Sequence, residues 1–299
     1  MSIPLDHHYL PVFYLKRWAD ADDGQVVEYH RPHKRVVTRR RYPTQTGKAR
    51  GLYSLPGFNE PELQQQVELR LMGPVDDAAA KALSLIEQRA PLDAEMRDGW
   101  ARFVMSLLHR SPERMRYFGE KIRGADFDLT PEIRAAYELQ RGEGDPGVED
   151  YLPLLPDHAF TQARAILINR LINSKPIGQV LVEMEWSLIR LDGGRHGLLT
   201  SDDPVMMSNG LNHERSFIML PISPSTIFIA ARSNMTIKAF STQDHTTLEA
   251  GVNDAICQQA EVLVIGHSDR HCRFVENRLG RRKTRKGDGM VGRFTWQAP

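Results

Sequence analysis

The chain has 299 residues, 41% of them hydrophobic and 26% charged, with 39 lysines and arginines against 38 aspartates and glutamates for a formal net charge of +1. That length and balance suit one large or two small globular domains with a real core, and they exclude overall disorder and a chain-wide excess of basic charge. The 2 cysteines, Cys257 and Cys272, are too few for a disulfide scaffold or a cysteine zinc site, so reduced thiols in a cytoplasmic, soluble protein are expected.

The N-terminal stretch "MSIPLDHHYL" lacks the basic start and continuous apolar run of a secretory signal. Pro11 suits a first helical position, and Leu10, Tyr14 and Trp18 recur at helical spacing, which predicts a short helix over 11–19. "GQVVEYHRPHKRVVTRR" predicts a hairpin turning at "RPHK", and "GLYSLPGF" a further short strand and turn. Over 61–173 the pattern is helical. Leu63, Val67 and Leu71 share one face, and after a break at Gly73-Pro74 Ala79, Leu83 and Ile86 share another. Trp100, Val104, Leu107 and Leu108 mark a third helix, and two more are predicted over 131–141 and 157–173, separated by the loop "GEGDPG".

From residue 176 the chain is strand-rich: "VLVEMEWSLIRL", "HGLLT", "PVMM", "SFIMLPI" and "STIFIAA" are short β-type runs. The prolines and serines within "SFIMLPISPSTIFIAA" keep that stretch from reading as a membrane span. A helix carrying Leu248, Val252, Ile256 and Gln259 then leads to "EVLVIG", a buried strand. There is no repeat and no strict βα alternation, so the expected class is α+β. The expected parts are an N-terminal short helix and β-hairpin, a helical section over 60–175, and a mostly antiparallel C-terminal sheet with a packed helix over 176–277. These form one domain over 1–277, followed by a basic, irregular tail over 278–299.

His7 and His8 precede a helix N-terminus, whose positive dipole end favours neutral imidazole, the form that a metal ligand or a general base needs. Adjacent residues of an extended strand point to opposite faces, so both serve one site only if the chain turns. Either one histidine is bonded in the core and the other lies at the surface, or His8, beside Tyr9, is a site residue. In "TSDDPV", Asp203 can accept the Val205 N–H, a local bond closed to Asp202 because Pro204 has no N–H. Asp202 then either helps Ser201 fix the turn or holds a carboxylate at a strand end for a metal, a base role or an arginine partner. In "LLHRSPERM", helix capping explains Ser111, Pro112 and Glu113 and leaves Arg110, which either forks onto a phosphate or carboxylate ligand or pairs with a structural acid. Asn253, beside the apolar stripe of its helix, orders a backbone loop or the Asp202 turn, or binds substrate.

Charge is segregated along the chain. Arg31, Lys34, Arg35, Arg39, Arg40, Arg41, Lys48 and Arg50 fall in a stretch without an acid, and Arg278, Arg281, Arg282, Lys283, Arg285 and Lys286 open the tail. Such segregation suggests nucleic acid as a partner of segments 31–50 and 278–286, with Arg39, Arg40 and Arg41 in contact; the alternative is a solvated hairpin paired with the acidic "RGEGDPGVED" stretch. The sequence has no Walker loop, dinucleotide fingerprint, His-Glu-x-x-His or G-x-S-x-G elbow.

"HHYLPVFYLKRW", "HRSPER" and "LLTSDDPV", in that order, resemble the family of bacterial and phage proteins called domain of unknown function 4238, over most of the chain from His7 to about Ile265. The resemblance implies no reaction; it implies His7, His8, Tyr9, Arg110, Ser201, Asp202 and Asn253 as recurring polar positions. Such proteins often carry an acidic residue in the helical segment around 69–77, where "LRLMGPVDDAAAKAL" here interrupts the helix with Gly73-Pro74.

The expected function is a hydrolase acting on a phosphodiester or nucleic acid. His8 or His7 is then a base or metal ligand, Asp202 a metal ligand or orienter, Arg110 a clamp, and Tyr9 and Asn253 substrate contacts; a divalent metal ion is the cofactor such a set would hold. A metal-free acid–base site is also open. The alternative class is a non-catalytic nucleic-acid or protein-binding module in which the same residues form a structural network.

Overall fold

The computed structural model describes residues 5–123, 131–142, 144–192, 196–208, 210–211 and 213–280. It begins with strand β1 (Asp6–His8) and helix α1 (Val12–Leu15), followed by the hairpin β2 (Val26–His30) and β3 (Val37–Arg41) and by β4 (Lys48–Arg50). Pro11 is the extended N-cap of α1, one position earlier than predicted, and the helix tightens to 3₁₀ geometry over Lys16–Trp18 before stopping at Ala19. Its aromatic face is a peg between strands. The Tyr14 hydroxyl lies 2.7 Å from Thr200 Oγ1 and donates to the Pro221 carbonyl at 2.7 Å, and Trp18 Nε1 donates to the Leu198 carbonyl at 2.8 Å. "GLYSLPGF" is a run of turns, punctuated by its glycines and proline; the strand falls just before it, as β4, and pairs antiparallel with β1.

The helical section holds α2 (Pro61–Gln64), a π-turn (Glu68–Met72), α3 (Gly73–Gln88), α4 (Ala94–His109), α5 (Pro112–Arg123), α6 (Pro131–Gln140), α7 (Val148–Tyr151), α8 (Asp157–Ile172) and α9 (Lys175–Glu183). The expected break at Gly73-Pro74 is absent. A proline inside an α-helix lacks one donor and clashes with the preceding turn. Here that turn widens to π geometry, with the Gly73 N–H donating to the Glu68 carbonyl, and the helical backbone runs on into α3. A Cβ on Gly73 would stand 3.2 Å from the Glu68 carbonyl oxygen, a crowding that glycine avoids.

"VLVE", predicted as strand, ends α9; β5 (Glu185–Arg190) begins two residues later. β6 (Thr200–Ser201), β7 (Met206–Met207), β8 (Phe217–Ser223) and β9 (Thr226–Ala231) follow, then α10 (Asn234–Ser241), α11 (His245–Gln259), β10 (Leu263–Gly266) and α12 (Cys272–Glu276). The short helices α10 and α12 were not predicted.

The strands form the β1–β4 ribbon and two four-stranded antiparallel sheets, ordered β3-β2-β10-β6 and β5-β9-β8-β7. Both sheets divide the same two cores. Ile218, Leu220 and Ile222 of β8 face a core filled by α1, α3 and α4, whereas Phe217 and Met219 face one filled by α10 and α11. Burial on both faces is why β8 and β9 read as continuous apolar runs. The class is α+β, as expected. Among the described residues, no helix is long and apolar enough to cross a membrane.

Candidate functional site

β1 is extended, so His7 and His8 leave it on opposite faces, and their environments differ. His7 is fully buried and stacked on Tyr53, with ring centroids 5.4 Å apart. Its Nδ1 accepts the Tyr53 backbone N–H at 2.9 Å, so the proton is on Nε2, which donates to Gln65 Oε1 at 2.6 Å. Burial pushes its pKa below the ordinary imidazole range, although the Gln65 bond works the other way. His7 is therefore neutral with both nitrogens engaged in the protein. His8 is half-buried, and its Nε2–H donates to the Thr44 carbonyl at 3.3 Å, leaving Nδ1 with a free lone pair. Burial, and after it the Thr44 bond acting in opposition, set its pKa below the ordinary value.

The next residue turns inward. Tyr9 and Leu10 donate their N–H groups to the Gly47 carbonyl at 2.8 and 3.0 Å. Gly47 takes φ 62°, and a Cβ there would stand 2.8 Å from Leu10 Cβ, so only glycine allows this approach. Tyr9 is buried, and burial, followed by the charges of Asp202 and Glu28, raises its hydroxyl pKa.

Arg110, at the C-terminal end of α4, is 1% exposed. Its guanidinium forks onto Asp76 of α3 at 2.7 and 3.0 Å and also donates to the His8 carbonyl at 2.7 Å and Ser106 Oγ at 3.3 Å. Of the five N–H donors of an arginine, Nε–H is left, buried and without a partner. Burial works against its charge, but Asp76 and Tyr53 hold its pKa above the ordinary value. Of the two sequence alternatives for Arg110, pairing with an acid is the one observed.

Glu68, on the π-turn, was not singled out from the sequence. Its Oε2 is buried without a partner, and burial pushes its pKa up to about 7, with Arg110 opposing and Asp76 adding to the shift. His8 and Glu68 thus sense the same Arg110–Asp76 pair, one shifted down and the other up. Reading the helix as continuous through Gly73-Pro74 is the signal that would have found Glu68 and Asp76.

Asp202 and Asn253 lie apart from this cluster. Asp202 Oδ1 accepts the Glu261 N–H at 3.0 Å, and Oδ2 accepts those of Val262 and Leu263 at 2.8 and 3.1 Å. Burial pushes its carboxyl up to about 7 against the pull of these three donors. Asn253 holds the loop before β6, accepting from the Leu199 N–H at 2.8 Å and donating to the Gly197 carbonyl at 3.0 Å. No hydrogen bond joins Asp202 to either histidine; Tyr9 is the residue that senses both Asp202 and Tyr53. Asp202→Ala should leave three N–H groups without an acceptor and cost about 1–3 kcal/mol in urea unfolding. An unchanged midpoint would remove this anchoring role.

Among the described residues, no group of three or more His, Cys, Asp or Glu side chains is placed to hold a metal ion. The basic segments divide. Arg39, Arg40 and Arg41 are exposed on the edge strand β3, with Arg40 paired to Asp23 at 2.7 Å and Arg41 3.9 Å from Glu28. The acids of Arg40 and Arg41 come from neighbouring segments, and among the described residues none comes from "RGEGDPGVED". Arg31 donates to the Glu276 and Leu279 carbonyls, and Arg278 pairs with Asp254. The predicted contacts at Arg281, Arg282, Lys283, Arg285 and Lys286 lie outside the described residues.

A family model described as "Protein of unknown function (DUF4238)" matches residues 6–270. No curated protein and no solved structure matches the chain.

Proposed function

The chain belongs to the DUF4238 family, a membership that fixes no reaction, and we propose that it is a hydrolase of phosphodiesters with nucleic acid as the substrate class. What carries the reading is the opposed pair beside Arg110. His8, held neutral with a free Nδ1, is the general base, and Glu68, whose proton is retained to about 7, is the general acid. Two titratable groups driven apart by their surroundings divide acid and base work in this way. His8 Nδ1 takes a proton from water as its oxygen attacks phosphorus, and Glu68 protonates the leaving oxygen as the P–O bond breaks. Arg110 stays buried with its guanidinium fixed by Asp76, and its positive charge favours an anionic phosphoryl group at the His8–Glu68 pair. Support for the substrate class comes from β3, whose exposed arginines lead into the turn carrying Thr44, the acceptor for His8. Asp202, Asn253 and His7 keep positioning roles.

The non-catalytic module is the second reading, favoured by the engagement of His7, Asp202 and Asn253 with backbone or buried protein groups. The deciding experiment incubates purified protein with single- and double-stranded DNA and RNA, and measures binding at rising salt in parallel. Hydrolysis that is lost in His8→Ala supports the enzyme. Salt-sensitive binding with no hydrolysis supports the module, and equal hydrolysis by His8→Ala overturns the assigned base.

A further inference from the structure

A concavity lies at the far end of the α3–α4 pair, where the turn between these helices covers the edge strand β5. It has a volume of about 440 Å³, within the range of about 300–1,000 Å³ usual for small-molecule sites. Ile86, Leu92, Leu188 and Phe228 supply an apolar lining, with Trp186 beside them, while Arg89 and Arg97 supply charge; none of the described lining residues is acidic.

Arg97 is held by several contacts, whereas the Arg89 side chain is exposed on an unusual backbone. Arg97 donates through Nε and Nη2 to the Val182 carbonyl at 3.2 and 2.6 Å and through Nη2 to the Met184 carbonyl at 3.0 Å. Its guanidinium carbon stands 4.0 Å from the Trp186 ring centroid. These contacts fix a cation beside the apolar lining and leave Nη1 outside the bonds named. Arg89 ends α3 at φ 54°, in the left-handed region that a helix C-terminus usually gives to glycine or asparagine. Its side chain has no partner among the described residues.

We propose that this cavity binds a small anionic amphiphile: a carboxylate head on an apolar tail, with Arg89 and Arg97 Nη1 on the head and the apolar lining on the tail. Within the lining the two cations face no acid, Glu185 acting on Arg97 from outside it, so they select the charge, and the apolar lining selects the tail. The site is separate from the His8–Glu68 cluster, because Arg97 and Arg110 are 13 residues apart along α4, or about 20 Å of helix. Its failure therefore leaves the hydrolase reading untouched.

Octanoate titrated into the full-length protein by isothermal calorimetry, beside octanol and octylamine, tests it. Octanoate should bind at one saturable site, octanol at least about tenfold more weakly, and octylamine not at all. Arg89→Gly removes the side chain while suiting the left-handed backbone, so the thermal midpoint should hold or rise as octanoate affinity falls at least about tenfold. Absent or non-saturable octanoate binding, equal binding of octanol or octylamine, or unchanged affinity in Arg89→Gly would overturn the proposal.

Discussion

Replacing Asp76 by alanine is expected to destabilise the protein by about 3–5 kcal/mol, seen as a lower urea midpoint at an unchanged slope. Arg110 is buried, and Asp76 takes one hydrogen bond from each of its terminal nitrogens. Without that carboxylate, the guanidinium keeps the His8 carbonyl and Ser106 Oγ but loses its counter-charge. A buried ion stripped of its partner costs far more than a surface pair contributes, because its desolvation is then uncompensated. Glu68 is a second carboxylate within electrostatic reach, and losing the repulsion from Asp76 lets it ionise more readily. Its pKa should therefore fall from about 7 in the variant, which titration by NMR would detect. A loss below about 1 kcal/mol would mean that the pair is no stronger than a surface bridge.

Glu68→Gln is expected to lower kcat on nucleic acid by about 10²–10⁴-fold, the usual contribution of a general acid. The same variant should lose far less on bis(p-nitrophenyl) phosphate, whose leaving group departs without a proton. A purely structural glutamate would lower both rates alike, and that result would remove the assignment. The pH profile supplies a second criterion. The acid must be protonated, so wild-type activity should decline as pH rises through about 7, and Glu68→Gln should lack that limb. Stability follows the same proton. The folded pKa lies above the ordinary 4.5, so between about 4.5 and 7 the folded state holds a proton that the unfolded state has released. The contribution of Glu68 to stability therefore falls as pH rises through that window. Glu68→Gln should gain on wild type in unfolding measured from about pH 5 to about pH 8.

Local chemistry was legible in the sequence wherever one residue constrains its neighbour. Pro204 denies Asp202 the usual turn bond, and Asp202 duly accepts from another segment, the 261–263 backbone. Capping accounted for Ser111, whose Oγ accepts the Arg114 N–H, and left Arg110 needing an acid. The extended geometry of β1 separated His7 from His8. Which acid serves Arg110 was not legible, because an α-helical rule read Gly73-Pro74 as a break where a widened turn absorbs the proline. Sheet membership was equally hidden: the N-terminal hairpin and "EVLVIG" each read as strands, but nothing local tells β2 that its second neighbour is β10.

That pairing has a consequence for synthesis. His30 and Leu263 are register partners about 230 residues apart. At about 5–20 residues per second, the hairpin leaves the ribosome roughly 10–50 s before its partner strand exists. An isolated two-stranded hairpin is marginal in water, so during that interval β2 offers an unpaired edge. Leu263 and Ile265 complete one core and Val264 the other. A nascent chain halted before residue 263 thus lacks the closing piece of both cores.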